Sequence, residues 1–453
     1  MARPRPGSRA ARERDAAAAI AGAVLAGEWQ PAAMGRRAKR AVADRRRWPT
    51  DLAEIVVRAY PDRPADRPRE LAAFVAACGP FRAAAHDHEH PLRARVWMAA
   101  PTRMGDRRWP VPVIDDLAAL ARWLGVTPDH LAWFADRRSM ERTASDERLR
   151  HHHRRWVRKA DGSGRLLEAP KRELKDLQRQ VLRHILDRIP PHDAAHGFRP
   201  GRSALSAARP HAGRAVVLHL DLESFFACVG AGRVHGLFRL AGYPEPVAHT
   251  LAALCTTTTP RAVLRRAPPA PPGAGDDAIE RRRRMLAHLA HPHLAQGAPT
   301  SPALANLVAH GLDRRMTGLA RRLGATYTRY ADDLVLSGDL PPATVTRTVR
   351  LVAGIVRDEG FRLHDGKSRL ATSARRQTVL GLVVNERPAV PRDDYDRLRA
   401  VLHDAARRGP AVADRDGHDD FRAHLLGRIS WVAATSPARA GRLAAAFAAI
   451  DWA

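Results

Sequence analysis

Residues 325–338 read ATYTRYADDLVLSG. Apolar and polar residues alternate on both sides of an acidic centre, Asp332-Asp333, which is the period-two pattern of paired strands. The stretch predicts a β-hairpin with two carboxylates at its bend. Neighbouring carboxylates repel, and withdrawal from water strengthens the repulsion. A fold that keeps such a pair beside apolar strands usually supplies a cation. Hard oxygen ligands without cysteine point to Mg²⁺ or Mn²⁺. Two such ions about 3.5–4 Å apart clamp the attacking and leaving oxygens of an in-line phosphoryl displacement. The four letters Tyr330-Ala331-Asp332-Asp333 alone also fit a turn with two solvated aspartates.

Working outward, residues 215–226, AVVLHLDLESFF, predict a buried strand that ends on acidic and aromatic residues, with Asp221 at its end. Residues 156–170, WVRKADGSGRLLEAP, predict a hairpin turning at Asp161-Gly162-Ser163-Gly164. Helices are expected at about 172–189, up to about 254, at 300–323 as one long helix, and at 342–359. Residues 361–370 read as strand or loop, 377–391 as a further hairpin, and the tail from 393 as helical with a loop near 409–420. The segment 260–284 holds APPAPPGAGDD and the run Arg281–Arg284, and reads as a mobile surface loop. This order describes an antiparallel sheet with helices on one face, an α+β fold.

At roughly 150 residues per domain, the length suggests about three structural units. The 45% apolar content excludes a wholly disordered chain. Lys and Arg outnumber Asp and Glu by 76 to 48, a net charge of +28. That excess fits a polyanionic partner, most simply nucleic acid. A GC-rich genome would explain Arg over Lys, but not the surplus over acids. Cys78, Cys228 and Cys255 lack C-x-x-C spacing, so neither a disulfide framework nor a cysteine zinc cluster is expected, and a reducing cytoplasm is the default. No apolar run approaches the ~18 residues of a membrane helix. The N-terminus lacks a signal peptide's apolar core and reads as a disordered basic tail. HDHEHP (His86, His88, His90) has a metal tract's composition but no distant partner motif. His151–His153, beside Arg154 and Arg155, read as part of a solvated basic face. Residues 113–136 predict two short helices, Gly125 ending the first and Thr127 capping the second ahead of Pro128. A helical hairpin packed on a larger domain is preferred there to a DNA-reading helix-turn-helix.

Six stretches, in order, resemble a reverse transcriptase, most closely the bacterial retron type, over roughly 150–400. AHGFRPGRS (195–203) resembles the stretch before the first catalytic strand, and LDLESFF (220–226) the first catalytic motif. QGAPTSPALANLVAHGLD (296–313) resembles the helix motif that contacts nucleotide and template. YADD (330–333) is the best-known motif, GFRLHDGKSRL (360–370) resembles the one that follows it, and VLGLVVN (379–385) resembles the primer-gripping hairpin. The chain departs from the retron pattern in three places. Ala207-Ala208-Arg209-Pro210-His211 lacks the Asn of an N-A-x-x-H element, Leu380 replaces a usual Thr, and the 260–295 insertion is long.

The resemblance implies an RNA-directed DNA polymerase with a right-hand architecture of fingers, antiparallel-sheet palm and helical thumb. Residues 1–130 would be a basic, partly disordered helical extension, 131–392 fingers and palm, and 393–453 the thumb. Asp221, Asp332 and Asp333 would be the catalytic metal ligands, with the carbonyl of Leu222, for two Mg²⁺ ions or substituting Mn²⁺. Phe226 would be the steric gate against a 2′-hydroxyl, or else ordinary core. Gln296 and Gly297 would line the nucleotide pocket. Arg165 and Lys171 would meet the triphosphate, or else be solvated cations, and Lys367 would assist pyrophosphate departure. Implied partners are dNTPs, an RNA template such as a structured noncoding RNA, the DNA product and its RNA–DNA hybrid, and a separately encoded effector in an anti-phage system. No membrane partner is expected. A group II intron enzyme, a catalytically idle RNA-binding scaffold, and untemplated or protein-primed synthesis are the other readings.

Overall fold

The computed structural model describes residues 8–452 apart from 99, 100, 138, 145 and 160. The chain packs as two units. One comprises Met1–Ile189, Gly230–Ala274 and Leu286–Ser301; the other comprises Pro190–Val229, Gly275–Met285 and Pro302–Ala453. These units cut across the sequence divisions at 130 and 392.

In the first unit the basic N-terminus is helical from Arg9 onward, not a disordered tail; residues 1–7 of the expected tail lie outside the described residues. The Ser8 side chain accepts from the Ala11 N–H and caps the helix Arg9–Leu25. The alanine-rich face of this helix explains the difference. It is buried, and it packs Ile20 into a core with Met34, Leu52, Leu71 and Phe81. Those residues come from the helices Pro31–Val42, Trp48–Ala59, Pro68–Ala77 and Gly79–His86, each with proline in its first turn. The helices Leu117–Leu124 and Pro128–Ala135 follow the predicted caps, with Gly125 left-handed at φ 72° and Thr127 accepting from the His130 N–H.

Strands β1 (His152–Arg158) and β2 (Gly164–Pro170) form the expected hairpin, Arg158 opposite Gly164. The 260–284 segment is not a structureless loop. It carries the helices Arg261–Arg265 and Asp276–Leu289, and Arg281–Arg284 lie on the second of these. Its proline-rich part is tied to the hairpin. The Trp156 indole donates to the Val263 carbonyl at 3.0 Å, and a Cβ on Gly164 would come within 3.1 Å of Pro268.

The second unit is built on a four-stranded antiparallel sheet. Strands β3 (Val216–Asp221), β4 (Thr326–Tyr330), β5 (Asp333–Gly338) and β6 (Arg369–Thr372) run in the spatial order β4-β5-β3-β6. The apolar run of β3 follows from its central place, with partners on both edges. A short hairpin joins β7 (Thr378–Val379) to β8 (Leu382–Val383). The helices Arg392–Arg408, Phe421–Thr435 and Pro437–Ala448 close the core beneath, where Leu398, Leu402, Leu425 and Leu443 meet Val217 and Val335. The expected long helix at 300–323 is two, Ser301–Val308 and His310–Arg322. Ala309 leaves helical geometry at ψ 2°, although its N–H still reaches the Ala305 carbonyl. Among the described residues no helix is long and apolar enough to cross a membrane.

Candidate active site

The sheet places the acidic residues by register. Asp221, the last residue of β3, stands directly opposite Asp333, the first of β5, and Tyr330 stands opposite Asp333 on β4. Leu222 is then turned toward the bend. Its pairing with Leu363 is carried by its neighbours: His364 N–H donates to the Asp221 carbonyl (2.7 Å), and Glu223 N–H donates to the Arg362 carbonyl (2.8 Å). The Leu222 N–H therefore points the other way and donates to the Asp332 carbonyl at 2.9 Å. In an extended residue the carbonyl lies on the same edge as the N–H.

The bend is strained and held. Ala331 sits in the left-handed region at φ 57°, which costs a non-glycine residue about 1–2 kcal/mol. Its carbonyl accepts from the guanidinium of Arg329 at 3.0 Å. Arg329 is fully buried; it also donates to Asp313 (2.8 and 2.6 Å) and to the Asn306 side-chain oxygen (2.9 Å). Asn306 in turn donates to the Gly197 carbonyl at 2.8 Å. Gly197 must be glycine, because a Cβ there would lie 2.7 Å from the Ala331 nitrogen. On β4 and β5, the imidazole of His211 bonds Thr328 (2.7 Å) and Ser337 (2.6 Å). The histidine of the incomplete N-A-x-x-H element is thus a buried brace of the β4–β5 hairpin.

The electrostatics are those of crowded carboxylates. Burial first, then the charges of Asp332 and Asp221, push Asp333 up to about 7. The ammonium of Lys367 offsets part of this by donating to both oxygens of Asp221, at 3.0 and 3.2 Å. Buried Glu223, two residues after Asp221, has its own counter-charge in Arg284 at 3.0 Å. Among the described residues, no three His, Cys, Asp or Glu side chains form a ready-made ion cage. The donor set still fits Mg²⁺. That ion takes few protein carboxylates beside substrate phosphates, and the repulsion from Asp332 and Asp221 that adds to burial in raising Asp333 is what a divalent cation would relieve.

Phe226 is half-buried, not core. Its ring lies 6.2 Å from that of Phe198 and 5.7 Å from that of Phe225. Phe198, itself 6.4 Å from Tyr330 and 51% exposed, was not anticipated as part of this surface.

The remaining expected residues lie in the other unit. Glu168 N–H on β2 donates to the Gln296 carbonyl at 2.9 Å. Gly297, at φ 129°, brings its backbone so close that a Cβ would be 3.3 Å from the Glu168 carbonyl oxygen. Arg165 is exposed on the same strand. Lys171 instead donates to the Glu147 carbonyl at 2.7 Å. Behind this loop lies a buried ionic cluster. Glu168 pairs with His293 (2.7 Å) and Arg154 (3.0 Å), and Arg154 with Glu141 (2.7 Å). Burial alone would raise Glu168, but the bond to His293 and the charges of His293 and Arg154 hold it down at about 2. His151 and His152 are buried here, against the expectation of a solvated face; only His153 and Arg155 follow the solvated pattern.

Residues 277–384 match the family model described as reverse transcriptase (RNA-dependent DNA polymerase). The chain is 42% identical over 340 residues to the retron Mx65 reverse transcriptase of Myxococcus xanthus, covering 74% of this chain and 72% of that protein. It is 38% identical over 346 residues to the retron Mx162 reverse transcriptase of the same organism, covering 72% and 65%. It is 32% identical over 240 residues to the retron Ec86 reverse transcriptase of Escherichia coli, covering 53% and 64%. With a β3–β5 register that sets its acidic residues face to face, the chain belongs to the retron-type reverse transcriptases, the RNA-directed DNA polymerases.

Proposed function

We propose that Asp221, Asp332 and Asp333, with the carbonyl of Leu222, hold two Mg²⁺ ions, for which Mn²⁺ can substitute. The pairing of Asp221 with Asp333 across β3 and β5 is the observation that carries this reading. Bound there, the ions would supply a lowered pKa for a primer hydroxyl and positive charge beside a departing pyrophosphate. The protein's part is positioning. The Arg329 network fixes the strained Ala331, and with it Asp332. Phe226 excludes a 2′-hydroxyl. Gln296, Gly297 and Arg165 receive the incoming dNTP, with Lys171 a weaker contact. Lys367 balances Asp221 and assists pyrophosphate release.

In this reading the β3–β6 sheet is the palm of a right hand, the β1–β2 hairpin belongs to the fingers, and the C-terminal helices form the thumb. The net charge of +28 suits an RNA template and an RNA–DNA hybrid held through phosphates. The relatives' retron names support a retron-type enzyme; a structured noncoding RNA as template, and an effector encoded separately in an anti-phage role, are proposed with it. Primer extension on RNA with dNTPs and Mg²⁺ is the test. Incorporation is expected from the native chain and not from a protein carrying Asp332→Ala and Asp333→Ala together. No incorporation by either protein would favour an RNA-binding scaffold.

A further inference from the structure

The first unit contains a cavity of about 310 Å³ that borders the buried Glu141–Arg154 cluster and shares no residue with the catalytic and nucleotide-binding sets named above. Its walls come from Arg69 on an N-terminal helix, from the loop after Pro128–Ala135, from β1, and from the helices Ala231–Leu240 and Glu245–Cys255. We propose that this cavity binds a phosphate-bearing nucleotide, with Arg69 and Arg142 taking the phosphate and Phe134 and the apolar wall taking the base.

Three observations support an anionic occupant. First, the cations in the lining outnumber the acids, and the acids are already satisfied. Asp136 accepts from the N–H groups of Met140 (2.7 Å) and Glu141 (2.9 Å). Glu141 accepts from the His151 N–H (3.0 Å) and Arg154 (2.7 Å). Arg69 and Arg142 have no acidic side chain within ion-pair distance among the described residues. Second, His152 is 3% exposed and lines the cavity, yet its Nε2 meets no partner in the protein. A buried ring nitrogen left unpaired costs free energy that a hydrogen-bonding partner would recover. Third, His235 and His249 stack at 3.9 Å in the same wall. Burial, then Arg69, pushes His249 down to about 4, so the pair supplies hydrogen bonds while the arginines supply charge. The volume lies at the lower end of the range for small-ligand sites, about 300–1,000 Å³, which suits a single nucleotide.

The nucleotide can be free or be one unpaired residue of an RNA strand, and two arms separate these. Calorimetry of the full chain in EDTA would titrate AMP, CMP, GMP and UMP in one arm. The other would use a short 5′-phosphorylated single-stranded RNA. Binding in either arm is expected to weaken about tenfold or more in Arg69→Glu and in Arg142→Glu, the loss of one charge-assisted hydrogen bond. It should also weaken in the cavity-filling Ala253→Trp, and stay unchanged in Arg47→Glu, an exposed residue outside the lining. Affinity for mononucleotides identifies the free ligand; affinity for the RNA alone that the cavity variants weaken identifies a strand residue. No binding in either arm, or binding that all three cavity variants retain, overturns the proposal. The measurement needs no polymerisation, so it stands or falls separately from the catalytic reading.

Discussion

The guanidinium of Arg329 meets the carboxylate of Asp313 at 2.6 and 2.8 Å, and neither side chain reaches solvent. Breaking a buried pair from one side leaves an unmatched charge and costs about 3–5 kcal/mol. Asp313→Ala should lose stability of that order in urea unfolding. Arg329→Met combined with Asp313→Leu should recover most of it, yet remain slow in primer extension because the Ala331 carbonyl has lost its donor. Full activity in the double variant would limit the pair to a role in folding.

Asp333 is pushed up to about 7 from an ordinary 3.8. Between those values the folded chain keeps a proton that the unfolded chain has released, so this group's contribution to stability falls as pH rises through the window. In EDTA, the melting temperature of the native chain relative to Asp333→Asn should drop between about pH 4 and about pH 7, then level off. Added Mg²⁺ should narrow the difference. A gap independent of pH would show that the three carboxylates do not interact in solution.

His211 behaves in the opposite sense. Burial, then the charges of His196 and Arg214, lower it from 6.5 to about 3. Below 6.5 the unfolded chain binds a proton that the folded chain refuses, so this stability is present at neutral pH and lost as pH falls toward 3. His211→Gln should flatten that acid limb. It should also cost about 1–3 kcal/mol at neutral pH, since Thr328 and Ser337 lose their shared partner. An unaltered acid limb would assign the titration to other groups.

Gly197→Ala places a methyl group 2.7 Å from the Ala331 nitrogen, so the bend must move. Misplacing a catalytic group by about 1 Å can cost on the order of 100-fold. The variant should keep its far-ultraviolet circular dichroism and lose kcat by that order. Wild-type turnover would mean the turn tolerates the shift.

Phe226→Ala should raise ribonucleotide incorporation relative to deoxynucleotide, read by primer extension with each rNTP. The Phe226 ring is half-buried and lies 6.2 Å from that of Phe198. Phe198→Ala is expected to relax the same preference more weakly, through loss of support for that ring. Unchanged selectivity in both would place the discrimination elsewhere.

What the sequence discloses depends on range. The β3 run, the YADD hairpin, and the caps at Gly125 and Thr127 were readable because periodicity and capping act over a few residues. Arg329 and Asp313 were not: in a chain this rich in charge, nothing local separates a buried ion pair from surface letters. The same holds for His152, which lies among histidines and arginines that do face water. The break at Ala309 is marked only by Gly311 two residues on, a glycine that helices also tolerate in their interior. The proline-rich insertion was misread because composition reports flexibility of an isolated segment, not its docking on Trp156.

Leu443 lies in the same core as Val217 and Val335, under the two strands that carry Asp221 and Asp333. Order of synthesis therefore matters. All three acidic residues leave the ribosome well before the helix that supports them from below. A nascent chain therefore carries all three carboxylates before the helices that close the core beneath their strands have been made.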